Sequence, residues 1–351
     1  MKSINIPKIL LALSLVVVFS CSKTEENVPL TGPQGTITVD KLVRKASLRD
    51  QIIPFSVIND NGDDVTSITT FYVDGQEISG SSFSSSEIGD FEVYGRYTDN
   101  GVEITTNTEA FSVIIPKRKV VLEDYTGTWC GYCPSVAGAI EVAHDVTGNI
   151  AVVALHETAN SSPDPMHFDE VQAIQDEFGV SGLPAARINR TTVWADPYST
   201  SDFTSMAGAD TDLAIAMVSE ISGSTLTVKV DVVYENGSVE GDKLVVYLLE
   251  SGIIHNQTNY YNTDPTSPFY QLGNPIPNFV HNEALRLSLS QILGDEISAT
   301  AALTESSKNY SVTIPSTYNT ANLSLVAMVV SADNSARNAQ IAHVSEDKAY
   351  E

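Results

Sequence analysis

The pattern of apolar and polar positions changes character several times along the chain. Lys2 and Lys8 flank the start of an apolar run over residues 9–19, which is too short to span a bilayer. A Pro-, Gly-, Thr- and Glu-rich tract then continues to residue 34 and reads as a flexible tether. From 35 to 116 apolar residues come in short alternating runs at 52–58, 69–73 and 91–97, closed by 111–115. Turn signals separate them: the acidic stretch 59–64, Asp74-Gly75 and Gly89-Asp90. About eighty residues of this kind predict an immunoglobulin-like β-sandwich.

The basic knot Lys117-Arg118-Lys119 marks the next change. The pattern predicts a strand over 120–125, a helix over 131–147, a strand over 150–156 and a helix over 167–178. Pro184 then leads into 185–190, and a short last helix falls near 202–209. Alternation of strand and helix predicts an α/β layer domain over 117–210. From 211 to 351 the chain returns to strands, at 213–219, 226–234, 243–250, 310–314 and 323–331, with a less regular stretch at 276–289. They predict a C-terminal β-sandwich, and no internal repeat relates it to the first. The predicted class is multidomain: an N-terminal Ig-like β-sandwich, a central α/β domain and a C-terminal β-sandwich.

A length of 351 residues exceeds what one core organises, and 42% apolar content fits a globular protein. Against 44 acidic residues stand 19 basic ones, a net charge of −25. No basic stripe is available for phosphate contacts, so nucleic acid is excluded as a partner. The negative charge itself serves solubility. The acidic stretch 59–64 lacks the spacing and closing Glu of a helix–loop–helix calcium site, and reads as a solvated turn.

The three cysteines divide into one and two. Cys21 ends the apolar segment after Ser20 and precedes a polar tract, an order open to plain secretory cleavage. It also resembles a bacterial lipoprotein signal, although Phe19 is bulkier than is usual there. That resemblance implies loss of residues 1–20, lipidation of Cys21 and a 21–34 tether. Cys130 and Cys133 have two residues between them. Disulfides that staple a fold close long loops, and so short a loop restricts the unfolded chain little, so this pair suits chemistry. Zinc would need two more soft ligands; no other Cys remains and the six His are scattered, so no metal and no cofactor are expected. Placed where a strand enters a helix, the first thiol meets unpaired N–H groups that stabilise a thiolate, and the second is positioned to attack a mixed disulfide.

Asp124-Tyr125-Thr126-Gly127-Thr128-Trp129-Cys130-Gly131-Tyr132-Cys133-Pro134 resembles the thioredoxin superfamily. The resemblance makes Cys130 the attacking thiolate, Cys133 the resolving thiol and Cys130–Cys133 a reversible disulfide. Asp124 corresponds to the family's buried proton-shuttling carboxylate, with Glu123 beside it as a rival. Ser181-Gly182-Leu183-Pro184-Ala185 resembles the loop whose cis Pro packs on the dithiol, which leaves the Leu183 backbone free for an extended peptide. Trp129, Gly131, Tyr132 and Leu183 would then contact substrate. Residues 158–166, with Pro163 and Pro165, depart from the pattern as an insertion. His156 either tunes the site or is an ordinary strand-end His.

Nearly the whole mature chain resembles the twenty-eight-kilodalton outer-membrane-protein family of Gram-negative bacteria. The dithiol stretch from Val121, Val180-Ser181-Gly182-Leu183-Pro184, and Phe279-Val280-His281-Asn282-Glu283-Ala284-Leu285-Arg286 carry the likeness. It implies a protein lipid-anchored to the outer membrane through Cys21, more than a defined activity. His281, Asn282 and Arg286 form either a polar cluster or ordinary structural hydrogen bonds. The expected function is thiol–disulfide exchange with protein thiol or disulfide substrates. The alternatives are a surface binding protein or adhesin on a thioredoxin-like scaffold, and a purely structural disulfide.

Overall fold

The computed structural model describes residues 36–39, 46–159 and 162–351; the 1–20 segment, Cys21 and the 21–34 tether lie outside the described residues. The N-terminal strands form two facing sheets. One holds Thr36–Val39, Ile53–Ile58 and Ser82–Phe83; the other holds Ala46–Leu48, Thr70–Val73, Gln76–Glu77, Gly89–Asp99, Val102–Thr105 and Glu109–Ile114. Period-2 alternation aims Phe55, Phe71, Val93 and Phe111 into the space between them. This is the predicted sandwich.

Strands and helices are numbered here from the start of the central region. Strand β1 (Val120–Thr126) is buried at every position, as befits a central strand covered on both faces. Helix α1 (Pro134–Val146) starts three residues later than the sequence predicts. Pro134 takes its first position, where a missing N–H costs nothing, and Cys133 caps it. Strand β2 (Ile150–His156) pairs parallel to β1. Helix α2 (Val171–Phe178) is also shorter than predicted and ends at Gly179, in left-handed backbone at φ 63°. Strand β3 (Ala185–Ile188) pairs antiparallel to β1, and β4 (Thr192–Val193) forms its hairpin partner. The helix expected near 202–209 is instead a single 3₁₀ turn, Thr200–Asp202, followed by turns.

The two helices cover opposite faces of this sheet. Val120 and Leu122 of β1 pack with Val136 and Ile140 of α1. Val121 and Tyr125 pack with Val171 and Ile174 of α2.

Seven longer C-terminal strands follow: β5 (Leu213–Ser222), β6 (Thr225–Tyr234), β7 (Lys243–Glu250), β8 (Ile253–Gln257), β9 (Ile276–His281), β10 (Ala284–Ser288) and β11 (Glu305–Thr313). After them come β12 (Leu323–Val330) and β13 (Ala336–His343). Strand β10 joins β2 through the pair Ala154 and Ala284 and continues antiparallel into β7, β12 and β13. One sheet therefore runs from β4 to β13. Residues of β7 and β12 alternate between two cores: Val245, Tyr247 and Val326 face α2, while Leu244, Val246 and Leu325 face β5 and β6. The C-terminal sandwich is real, and one of its sheets is shared with the α/β layer.

Candidate functional site

The dithiol sits where β1 turns toward α1. Cys130 and Cys133 form a disulfide with S–S 2.04 Å and Cα atoms 5.4 Å apart, and both are buried, at 5% and 1% exposure. The Cys133 N–H donates to the Cys130 carbonyl at 3.3 Å, and the Val136 N–H to the Cys133 carbonyl at 3.1 Å. The pair thus occupies a turn leading into the helix rather than its opening turn, and Cys133 lies at the helix end itself.

Alternation along β1 settles which acid accompanies the dithiol. Glu123 is on the α2 face, where Arg190 donates to it at 3.1 Å and the Tyr125 hydroxyl at 2.8 Å. Asp124 is on the α1 face and lines a chamber of ≈ 300 Å³ together with Cys133, Ile140, Val152, Gln257, Phe279, His281 and Glu283. Burial, with the nearby negative Glu283, pushes the Asp124 carboxyl up to about 8. Its Oδ1 and the His281 Nε2 are buried without a hydrogen-bond partner among the described residues. Burial first, then the neighbouring His156, holds the His281 imidazole down to about 3, so it is neutral.

Trp129 is half-buried and donates its ring N–H to the Glu157 carbonyl at 2.9 Å. Tyr132 is 54% exposed and meets the rings of Tyr260 and Tyr261 edge-on. The Leu183–Pro184 peptide bond is cis. Ala185 and Ala186, directly after it, lie opposite Tyr125 and Asp124. Pro184 therefore stands at the end of the sheet from which the dithiol turn departs. The Leu183 side chain packs into the α2-face core.

Several residues at the site were not singled out from sequence. The insertion carries Asp164, whose Oδ2 accepts from the Thr128 N–H at 2.7 Å and contacts His156 Nδ1 at 3.0 Å. Burial works against its charge, but the hydrogen bonds from His156 and the backbone of Thr128 and Met166 hold the carboxyl down to about 2. His156 thus braces the loop before the dithiol. The end of β8 and the segment after it are a second surprise. The Gln257 amide donates to the carbonyls of Cys130 at 2.9 Å and Gly127 at 3.3 Å. The Thr258 N–H reaches the Thr128 carbonyl at 2.8 Å, and the Tyr260 N–H the Gly131 carbonyl at 2.9 Å. The buried Asn259 braces this strap internally, donating to the Phe269 and Gly273 carbonyls. Glycine at 131 permits the approach, since a Cβ there would meet the Tyr260 ring at 2.5 Å.

His281, Asn282 and Arg286 do not gather. His281 and Asn282 both border the chamber, Asn282 also accepting from the Gly252 N–H at 3.0 Å, whereas Arg286 lies 3.3 Å from Glu250. Their signal was adjacency in sequence, and a turn with Glu283 in left-handed backbone (φ 51°) separates them.

A thioredoxin family model matches residues 102–201. The model of outer membrane protein Omp28 matches residues 171–348, just over half the chain. The chain belongs to the Omp28 family. The Omp28 match begins at the first residue of α2 and runs through the shared sheet, so the family's own region includes part of the α/β layer. No curated protein matches this Omp28 member. Among solved structures, HBP35 of Porphyromonas gingivalis aligns with TM-score 0.49 and 17% identity over 66% of this chain and 77% of that one. Domains 4–9 of the surface layer protein SbsC align with TM-score 0.16 and 11% identity, over 91% of this chain and 51% of that one.

Proposed function

We propose that this Omp28 member is an envelope thiol–disulfide oxidoreductase acting through Cys130 and Cys133. The observation that carries the reading is the common chamber of Cys133 and the buried Asp124, whose raised proton affinity supports a proton relay between them. In the reduced protein the Cys130 thiolate attacks a client disulfide and forms a mixed disulfide. Cys133 then attacks Cys130 and releases the client as a thiol, with its own proton passing to Asp124. Clients are extended protein segments with thiols or disulfides, pairing with the Leu183 backbone beside Pro184 and resting on Trp129 and Tyr132, whereas Gly131, expected to contact substrate, is covered by the Tyr260 ring of the strap. Attachment to the outer membrane is through a lipid on Cys21, outside the described residues.

A Cys133→Ser variant tests this directly. It should accumulate client proteins as mixed disulfides on Cys130, and wild type should exchange with glutathione. An empty trap together with no exchange refutes the reading. One observation favours the alternative of a binding protein: Cys130 is only 5% exposed, in a turn whose carbonyls the strap holds. On that reading a Cys130→Ser, Cys133→Ser double variant keeps its partners.

A further inference from the structure

Asp124 is buried and borders the chamber, which offers a route out for a proton it takes. Glu283, on the turn between β9 and β10, borders the same chamber. Its left-handed backbone is fixed on both sides: its carbonyl accepts from the Ala154 N–H at 2.9 Å and its N–H donates to Ser251 Oγ at 2.9 Å. Its Oε1 lies 3.3 Å from His144 Nε2 in the last turn of α1, where the helix dipole also favours a cation. Both side chains keep contact with solvent.

The ionisable groups facing Asp124 come from every surrounding element. Glu141 comes from α1, which also supplies His144 as the partner of Glu283; His156 comes from β2 and Tyr198 from the loop after β4. His281 ends β9, and Glu283 follows it. His156 is already held by Asp164, and His281 is neutral. Glu283 is the neighbouring charge felt most at Asp124.

We propose that Glu283, paired with His144, is a positioning residue for the redox site, controlling through its charge the proton that Asp124 takes from Cys133 and returns to solvent. The inference rests on the thiol–disulfide reading above. In the step concerned, the Cys133 S–H bond breaks and its proton goes to the Asp124 carboxylate. The Cys133 sulfur forms the Cys130–Cys133 bond as the Cys130–client bond breaks. The client thiolate takes a proton from solvent, and Asp124 gives its own back past the Glu283–His144 pair. Removing the Glu283 charge eases ionisation of Asp124. Placing a second carboxylate at 144 adds charge of the same sign and opposes it.

The test uses the reduced full chain and oxidised glutathione, following closure of the Cys130–Cys133 disulfide from pH 5 to 9.5. Carbon-13 NMR of the Asp124 carboxyl in the oxidised protein gives a titration that needs no turnover. Glu283→Gln should move both midpoints down by about half a pH unit, and His144→Glu, which adds a negative charge beside Glu283, should move both up by a similar amount. Opposite shifts are a signature that mere loosening of the turn does not produce. Unchanged midpoints, or shifts of the same sign in both variants, overturn the proposal. If the NMR shifts appear but the wild-type protein never closes a disulfide with glutathione, the coupling stands and the thiol–disulfide reading falls.

Discussion

Asp124 carries opposing demands. A carboxyl held near 8 in the fold and near its ordinary value in the unfolded chain binds its proton more tightly when folded. Its stabilising share is therefore complete below the unfolded value, about pH 4, and is lost as pH rises through about 8. Asn cannot ionise, so Asp124→Asn should gain on wild type by about 1–3 kcal/mol between pH 5 and 9, because the other titrating groups cancel in the difference. Urea unfolding at the two pH values measures this, and parallel pH curves would refute it. The neighbours respond in the other direction. His281, held near 3, costs stability as pH falls below the ordinary histidine range. Asp164, held near 2, loses its contribution as pH falls from about 4 through 2. At this scale much was legible in the sequence: the dithiol, Trp129, Pro184 and the acid two positions before Thr126 all stand at one end of the sheet. The resemblance pointed to Asp124 and left Glu123 as a rival, because which of the two shares a face with the dithiol depends on which face α1 covers.

At the scale of elements, the dithiol turn belongs to two parts of the chain. Its own strand and helix form it, and the strap from the end of β8 onward holds the carbonyls of Gly127, Thr128, Cys130 and Gly131. The strap was not readable beforehand because its hydrogen bonds go to main-chain atoms and leave no pattern of residue types. Asp164 escaped notice for a related reason. It lies in the insertion, where only the prolines stood out, and its role is set by reaching back to Thr128. Gly131 offers a clean probe of the strap. Ala at 131 brings a methyl against the Tyr260 ring and should destabilise the protein by about 1–3 kcal/mol, the usual range for overpacking. Truncating the ring relieves the clash, so Gly131→Ala combined with Tyr260→Ala should cost less than the sum of the single variants. Thermal unfolding of the four proteins closes the cycle. Strict additivity would mean that the ring does not lie over Gly131.

At the scale of the whole molecule, the continuous sheet decides what folds together. The sequence presents three segments whose periodicities differ, and that reading matches the layers observed. It does not reveal that β10 pairs with β2, because a single bridge at Ala154 and Ala284 joins them and their neighbours are far apart in sequence. The consequence is a core owned by both parts. On the α2 side, Val121, Tyr125, Val153 and Leu155 pack with Val245, Tyr247, Leu249 and Val326. A buried polar link crosses the same boundary, since Arg190 bonds both Glu123 and, at 3.2 Å, the Tyr247 hydroxyl. A chain ending at residue 210 would expose that apolar face and leave Arg190 and Glu123 without Tyr247. Each fully buried aliphatic side chain is worth roughly 1.5–3 kcal/mol, so losing even a few covering residues exceeds the stability of a small domain. The 117–210 fragment should therefore lack a cooperative thermal transition, whereas 117–351 should unfold in one transition that includes the dithiol. Hydrogen exchange is the sharper measurement. Amides of β1 and β2 should share the protection of β7 and β12 in the full chain and lose it in the fragment. Full protection in the isolated fragment would show that the α/β layer is self-sufficient and that the shared sheet is only an abutment.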